Sequence, residues 1–428
     1  MREGALSPGD RLPTIRALAA ALELSPATVA AAYRLLAHRG IVFTDGRRGT
    51  RVAARPPVAR REKAPSLAGA LTTAGRLPEG VVDLASGNPD PALLPDVRPH
   101  LERAAQKALY GAPDVDAELA AAARADFTAD GIPAEHIAVV SGALDGCERV
   151  LEAHLKPGDR VAVEDPGYVR VLDLVAAMAL IAIPVELDDA GMRPEGLAEA
   201  LRRGARAVLL TPRAQNPTGA ALDPSRAGEL ARTLRGRPEV LVIEDDHAGA
   251  VAGAPAVSLA GSLPNPWAAV RSVSKSLGPD LRIALLAGDA VTVARVRGRQ
   301  ALGPGWVSGV LQRAVASLTS DKTVQRLLNR AGRTYEERRG ALRAALSSQG
   351  IGSRGASGLN VWIPAPEEAR LVGALLARGW AVAAGERYRI RTGPALRVTA
   401  AALEPRDALR FAENLAACLR HEPAVAEA

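Results

Sequence analysis

Seven short apolar runs, each followed by an Ala- and Leu-rich stretch of helical character, constrain the fold of this chain more than any other feature. They cover residues 137–140, 160–163, 181–186, 207–210, 240–243, 270–273 and 283–287. Strands that are apolar throughout and joined by helices indicate an α/β fold, with a mostly parallel sheet covered on both faces. Ligands of such sheets bind at the carboxyl ends of the strands, so the residues that follow the runs are candidates for a site.

A lysine stands at the end of the sixth run, in the sequence Ser-Val-Ser-Lys that ends at Lys275. A lysine at the end of a buried strand loses hydration, so its pKa falls and its amine becomes able to form a Schiff base with an aldehyde. Ser272, Ser274 and Arg282 are the groups that would hold a phosphate beside it. Together these residues indicate pyridoxal phosphate (PLP). The alternative is an ordinary Ser-Lys pair on a solvated loop.

Four more strand ends carry residues that suit the same cofactor. Gly142 and Ala143 open a helix whose amino end can receive a phosphate. Tyr168 could lie flat on a cofactor ring, and the amide of Asn216 could bond the 3-hydroxyl oxygen of that ring. After the fifth run, an acidic group of Glu244-Asp245-Asp246 could pair with the pyridinium nitrogen and so keep the ring an electron sink. Each residue also has a structural explanation, because Gly-Pro loops are usually turns and a carboxylate after a strand often caps a helix.

The net charge is concentrated at the amino end. Residues 1–63 carry 12 Lys and Arg against five Asp and Glu, so the formal net charge of +7 lies entirely in this segment. A small basic segment on a neutral body indicates a polyanionic partner.

The remaining composition points to the cytoplasm. The two cysteines, Cys147 and Cys418, fit a reducing compartment. The most apolar stretch, residues 171–187, is interrupted by polar residues and a proline, so no membrane span is expected. We assign no metal site.

The basic segment has the pattern of a helix-turn-helix followed by a hairpin. Thr14 is placed to cap a first helix, and Ser25 a second helix that starts with Pro26. Asp45-Gly46 between residues 41–44 and 49–52 is a strong hairpin signal. This is a winged helix-turn-helix, and we expect it to bind double-stranded DNA through Arg16, Ala27, Thr28, Arg34, Arg47 and Arg48. The alternative is a small helical cap with a solvated basic face.

Both halves resemble known families. The head, from Pro8-Gly9-Asp10 through Ser25-Pro26-Ala27-Thr28 to Gly49-Thr50, resembles the GntR superfamily of bacterial regulators. The ordered strand-end residues resemble the fold-type I PLP enzymes of the aspartate aminotransferase superfamily. The whole chain is similar to MocR-type regulators. The resemblance implies a head over residues 1–53, a linker over 54–75 and an aminotransferase-like body over 76–428. A small C-terminal α+β subdomain would lie at about 330–428, with a strand at 359–363.

The resemblance also implies roles for individual residues. Lys275 would be the Schiff-base lysine, Asp245 the partner of the ring nitrogen, Asn216 the partner of the 3-hydroxyl and Tyr168 the stacking residue. Phosphate would be held by Ser272, Arg282, Gly142 and Ala143. Tyr110 would reach the phosphate of the partner subunit, which implies a homodimer. Arg397 would bind a substrate α-carboxylate, with Arg170 as a second carboxylate group.

Two departures from the family pattern bear on function. His247 stands where the family usually has a tyrosine that bonds the 3-hydroxyl, so that bond would come from imidazole or be lost. Only seven residues precede Pro8, where the family has a further helix. Either the true start lies upstream or the DNA-binding head is weakened.

Two functional hypotheses follow. In the first, the chain is a PLP-dependent transcriptional regulator whose body binds an amino compound or amino acid as an external aldimine and so alters operator binding. In the second, it is a class I/II aminotransferase with a residual DNA-binding head. The charge pattern favours the regulator, and the complete cofactor set leaves turnover open.

Overall fold

The computed structural model describes residues 9–38, 42–44, 49–52 and 77–420. The predicted linker at 54–75 and the hairpin arginines Arg47 and Arg48 lie outside these residues. Within them, no single helix is long and apolar enough to cross a membrane; helices Ile15–Ala21 and Pro26–Arg34 meet that test only as a pair, bent by 119°.

The head contains two helices and a two-stranded ribbon, as predicted. Their bounds are α1 Ile15–Ala21, α2 Pro26–His38, β1 Val42–Thr44 and β2 Thr50–Val52. The hydroxyl of Thr14 accepts from Ala17 N (3.2 Å) and that of Ser25 from Thr28 N (3.0 Å), so both predicted caps are confirmed. Tyr33 and its buried neighbours Ala19 and Val29 form the small core of this unit.

The body is built on an eight-stranded sheet with strand order β4-β11-β10-β9-β8-β5-β6-β7. The strands are β4 Ile137–Val140, β5 Arg160–Asp165, β6 Ile181–Asp188, β7 Gly191–Met192, β8 Ala205–Leu210, β9 Leu241–Asp246, β10 Trp267–Ser272 and β11 Ala284–Gly288. All seven predicted strands are present. The sheet is mostly parallel, except that β11 runs antiparallel to both neighbours and β7 antiparallel to β6. Residues 273–283 are too few for a helical crossover, so β11 turns back beside β10.

Helices cover both faces of this sheet. Alternate residues of one strand enter different cores: Ala162 belongs to one apolar cluster, whereas Val161 and Val163 belong to another. The helices of the body are α3 Arg98–Ala104, α4 Ala117–Ala129, α5 Ala143–His154, α6 Val169–Ala177, α7 Pro194–Arg202, α8 Pro224–Arg235, α9 Ala290–Ala301, α10 Gly309–Ser320, α11 Lys322–Ser348, α12 Glu368–Leu376 and α13 Ala408–Leu419.

A second, four-stranded sheet forms the small subdomain, in the order β12-β14-β13-β3. Its strands are β3 Val82–Leu84, β12 Asn360–Pro364, β13 Trp380–Ala384 and β14 Ala395–Thr399. Trp380 and Phe411 meet edge-to-face in its core. The strand expected at 359–363 is β12. The pairing of β3 with β13 brings in a segment that lies outside the predicted range of about 330–428.

Candidate functional site

The carboxyl ends of the parallel strands bring the predicted cofactor residues to one edge of the sheet. Gly142 follows β4, Tyr168 follows β5, Asn216 follows β8, Asp245 lies near the end of β9 and Lys275 follows β10. Because these strands point the same way, residues that are far apart in sequence share one edge.

Lys275 is half-buried at this edge of the sheet. Its Nζ donates to the carbonyl of Gly87, 2.6 Å away. Burial, and then the positive charge of Arg397, lower the pKa of Lys275 to about 8. A larger share of its amine is therefore neutral, and nucleophilic, near neutral pH than for an exposed lysine.

Asp245 is a buried carboxylate, one of whose oxygens has no hydrogen-bond partner in the described part of the chain. That oxygen, Oδ1, is itself buried. Burial, and then the charges of Asp246 and Glu164, raise its pKa to about 7. An unpaired carboxylate in this position is costly unless a cation meets it, which is what a protonated ring nitrogen would supply.

The neighbouring carboxylate has the opposite environment. Asp246 is bonded by Arg213 (2.8 Å) and Arg271 (2.9 Å), both of them buried. Although burial opposes it, these hydrogen bonds and charges lower the pKa of Asp246. Only Asp245 of this pair is therefore left to meet a ligand. The strand pattern alone does not separate the roles of the two acids, because Arg213 and Arg271 lie 33 and 25 residues from Asp246 in the sequence.

The residues expected to hold phosphate lie around the start of α5. Gly142 has φ +101°, and a Cβ there would stand 2.5 Å from Arg282 Nη2, so only glycine lets the guanidinium approach. Arg282 Nη2 donates to Ser141 O (3.2 Å). Ser272 Oγ accepts from Ser274 N, and Ser274 Oγ is buried with no partner among the described residues. Donors, a helix amino end at Ala143 and an orphaned hydroxyl fit an anionic group.

The ring-facing candidates are also close together. Tyr168 precedes α6 and is half-buried, and Asn216 Oδ1 lies 3.5 Å from Arg397 Nη1. His247 Nε2 donates to Ala214 O (2.8 Å). Burial, and then Lys275, lower the pKa of His247 to about 4, so the ring is neutral and its Nδ1 can only accept. The imidazole therefore has no N–H left for a 3-hydroxyl oxygen.

Arg397 lies on β14 of the small subdomain and reaches this cleft. It is 3% exposed, its Nη2 donates to Ala85 O, and its Cζ stands 5.1 Å from the centre of the Tyr388 ring. Its Nε is buried and unpaired among the described residues. Gly87 contacts both sides of the cleft: its carbonyl holds Lys275, and a Cβ on it would stand 3.1 Å from Arg397 Nη1.

Two predicted residues are not brought into the cleft of this chain. Arg170 is exposed on the first turn of α6. Tyr110 is 92% exposed and packs edge-to-face on Trp306, with 5.8 Å between ring centres.

Several residues that shape the cleft were not assigned from sequence. Glu164 accepts hydrogen bonds from Thr211 and Gln215, and its pKa is raised to about 7 by burial. Gln215 also donates to Pro166 O, which fixes the loop before Asn216. Gly87 acts through a main-chain carbonyl and so has no side-chain signature.

In the head, four expected DNA-contact residues are exposed on the two helices: Arg16, Ala27, Thr28 and Arg34. Thr28 also shares a hydrogen bond with Ser25 (2.8 Å between oxygens), which fixes the start of α2.

Comparison with known proteins identifies both halves. The model of the family described as aminotransferase class I and II matches residues 79–415, and that of the bacterial regulatory proteins, gntR family, matches residues 1–52. The vitamin B6 salvage pathway transcriptional repressor PtsJ of Salmonella typhimurium is 39% identical over 405 residues, which cover 94% of this chain and 91% of the relative. The chain belongs to the MocR-type transcriptional regulators.

Further relatives agree with this assignment. The HTH-type transcriptional regulator TauR of Rhodobacter capsulatus is 30% identical, over 85% of this chain and 81% of the relative. An archaeal alanine:glyoxylate aminotransferase superposes with a TM-score of 0.74 over 83% of this chain and 93% of that chain. At 20% identity this likeness shows the fold alone.

The predicted fold type I, the PLP cofactor and the regulator hypothesis are confirmed. The head is a DNA-binding unit and the body accommodates a small-molecule effector.

Proposed function

We propose that this regulator binds PLP through Lys275 and an amino compound through Arg397, and that the state of the body sets how its heads bind DNA. The observation that carries the proposal is the meeting of Lys275 and Arg397 at Gly87 in one cleft. One side chain offers a nucleophilic amine, and the other offers a buried guanidinium with an unpaired Nε. An amino acid offers an amine that the aldehyde of PLP would take in place of Lys275, and a carboxylate that the guanidinium of Arg397 would bind.

The residues divide the work as follows. Arg282, Ser272 and the start of α5 at Gly142 and Ala143 would hold the phosphate, and Asp245 would keep the ring nitrogen protonated. PLP, when bound, supplies an aldehyde that captures amines and a ring that accepts electrons. Lys275 Nζ, with its pKa near 8, can release and take back a proton close to neutral pH.

The other assigned side chains orient the ligands. Asn216 would bond the 3-oxygen of the ring, and Tyr168 would cover its face. Arg397 would bind the carboxylate of the effector.

A homodimer is supported by an exposed apolar face. Leu109, Tyr110 and Leu302 are 85%, 92% and 84% exposed, and Trp306 lies against Tyr110. Leu109, Tyr110 and Trp306 border a groove of about 690 Å³ formed by residues around Tyr110 and the start of α10. Such a patch is typical of a protein–protein interface, and a second copy would place Tyr110 near the partner's phosphate site. Two heads on one dimer would read a two-fold operator.

The target genes are proposed from PtsJ alone. Because PtsJ is named as a repressor of vitamin B6 salvage and matches most of this chain, we propose that this regulator controls genes that supply PLP. We also propose that it acts in the cytoplasm, because its head belongs to a family of bacterial regulatory proteins and bacterial DNA lies there.

The test combines a spectrum with an effector screen. Purified protein with PLP should show a visible band, and adding amino compounds one by one should shift it for the cognate compound and change DNA affinity. A Lys275→Ala protein should show neither response. If the band is unchanged in Lys275→Ala, the assignment of the lysine is wrong.

Turnover is a second candidate activity. It is favoured by the pKa of Lys275, which suits proton transfer, and opposed by His247, which offers no N–H to the ring oxygen. Measuring keto acid release from the compound that shifts the band would decide between an effector and a substrate.

A further inference from the structure

A ten-residue connection in the small subdomain lies between the cofactor loop and Arg397. We call residues 385–394, which join β13 to β14, the strap. It begins with the short helix Gly385–Tyr388 and ends directly before β14, three residues ahead of Arg397.

One carboxylate of the large sheet holds the strap. Asp165, the last residue of β5, is 2% exposed. Its Oδ1 accepts from Ile390 N (2.8 Å), and its Oδ2 accepts from Arg391 N (2.8 Å) and Thr392 N (3.1 Å). A buried carboxylate that takes three main-chain N–H groups is a strong, geometrically specific anchor.

A second main-chain bond joins the same two segments. Gly167 N donates to Tyr388 O at 2.7 Å, two residues after Asp165 and one before Tyr168. The loop that carries the predicted ring-stacking tyrosine and the strap are therefore connected at four amide groups.

A different carboxylate holds the strap to the small subdomain. Glu368, at the start of α12 and 7% exposed, accepts from Glu386 N (2.7 Å), Arg389 Nε (3.0 Å) and Ala395 N (3.0 Å). Because Asp165 belongs to the eight-stranded sheet and Glu368 to the small subdomain, the strap is bonded to both units.

The strap also shapes the surroundings of Arg397. The ring of Tyr388 lies under the Arg397 guanidinium, and the indole of Trp362 packs edge-on against Tyr388 at 6.3 Å between ring centres. Any displacement of Tyr388 changes the contact that supports the guanidinium.

We propose that Asp165 is a positioning residue that locks the strap, and with it the guanidinium of Arg397, to the cofactor loop. When the cofactor site is occupied, the loop that contains Tyr168 becomes less mobile. Because Asp165 binds residues 390–392 of the strap, the strap becomes less mobile as well. The importance of Asp165 for effector binding rests on the proposed function, in which Arg397 takes the effector's carboxylate. The lock itself depends on hydrogen bonds within the chain.

The test is hydrogen exchange of the full-length protein, with and without PLP as the probe. In the wild type, amides 390–392 should exchange slowly, and more slowly with PLP. In Asp165→Asn they should exchange about tenfold faster or more, because charge-assisted bonds are lost. PLP should no longer slow them, although its absorbance band still forms.

The matched control is Asp289→Asn. Asp289 also accepts three hydrogen bonds, from Trp267 N and from the amide and hydroxyl of Thr292, but at the amino end of β10. This variant should leave exchange of the strap unchanged. A general loss of stability would affect both variants alike, so it is distinguishable from loss of the lock.

Two results would overturn the proposal. One is an Asp165→Asn protein whose strap exchanges as in the wild type. The other is a wild-type strap whose exchange does not respond to bound PLP. Should the wild type form no PLP band, the proposed function fails, while the comparison of the two variants without PLP still decides whether Asp165 holds the strap.

Discussion

Lys275 differs from an ordinary lysine because burial and Arg397 both disfavour its charge. We expect its pKa in the cofactor-free protein to be about 8. Neutral amine should therefore appear as the pH rises through 8, whereas an exposed lysine needs a pH above 10. Competitive acetylation across pH, read by mass spectrometry at Lys275 and at Lys156, measures this difference. Arg397→Ala should raise the value, and an unchanged value would mean that the two side chains do not interact.

The buried carboxylate of Asp245 should lower the free energy of unfolding of the protein until a cation binds beside it. Its raised pKa means that the folded state binds more protons than the unfolded state between pH 4 and 7. Its contribution therefore favours folding at acid pH and is lost as the pH rises through 7. We expect Asp245→Asn to stabilise the cofactor-free protein at pH 8 by a few kcal/mol, on the order of the shift. At pH 8 without PLP, the melting temperature of Asp245→Asn should be higher than that of the wild type, and its affinity for PLP should be lower. Lower stability without PLP would contradict the unpaired geometry.

His247 gives a prediction that depends on its hydrogen bond to Ala214. A neutral imidazole that donates through Nε2 cannot donate to the ring oxygen. A hydroxyl donor in its place would stabilise the ionised oxygen and so favour the proton-free form of the lysine-bound cofactor. We expect His247→Tyr to lower the pH at which the visible band titrates by about one unit, and His247→Phe to leave it unchanged. If the pH at which the visible band titrates shifted equally in both variants, this interpretation would be wrong.

At the scale of elements, the sequence was informative where the signal is local. The seven strands and the caps at Thr14 and Ser25 follow from runs and single residues, so their types were predictable. The addition of β3 to the small sheet and the anchoring of the strap by Asp165 were not. Both contacts join segments that are about 220 residues or more apart in the sequence. Neither segment contains a local signal that identifies the segment it pairs with.

The helix α2 carries the prediction about DNA. Arg34 is exposed on it, and we expect its guanidinium to contact phosphate. Arg34→Ala should weaken binding to all sequences alike and lower the slope of log affinity against log salt by about one. Arg202→Ala, on the exposed face of α7 in the body, is the control. An unaltered slope in Arg34→Ala would remove this residue from the DNA contact surface.

For the whole molecule, the meeting of the strand-end residues at one edge could be predicted because parallel strands end there. The network that tunes it could not be predicted: Arg213 and Arg271 form ion pairs with Asp246, while Asp245 Oδ1 has no hydrogen-bond partner within the described ranges. Such environments depend on which distant side chains share a face. The coupling of the body to the heads also belongs to this scale, since a ligand shifts DNA binding only through its different affinity for two states of the body.

The most direct test of a PLP-dependent regulator is a titration of the DNA directly upstream of its own gene with full-length protein, with and without PLP. Fluorescence anisotropy of the labelled DNA gives the affinity, and Lys275→Ala provides the comparison. We expect PLP to change the affinity of the wild type by about fivefold or more, the usual range for coupled sites, and to leave Lys275→Ala at its basal affinity. A wild type that binds this DNA equally well with and without PLP would contradict the account, as would a Lys275→Ala protein that responds fully.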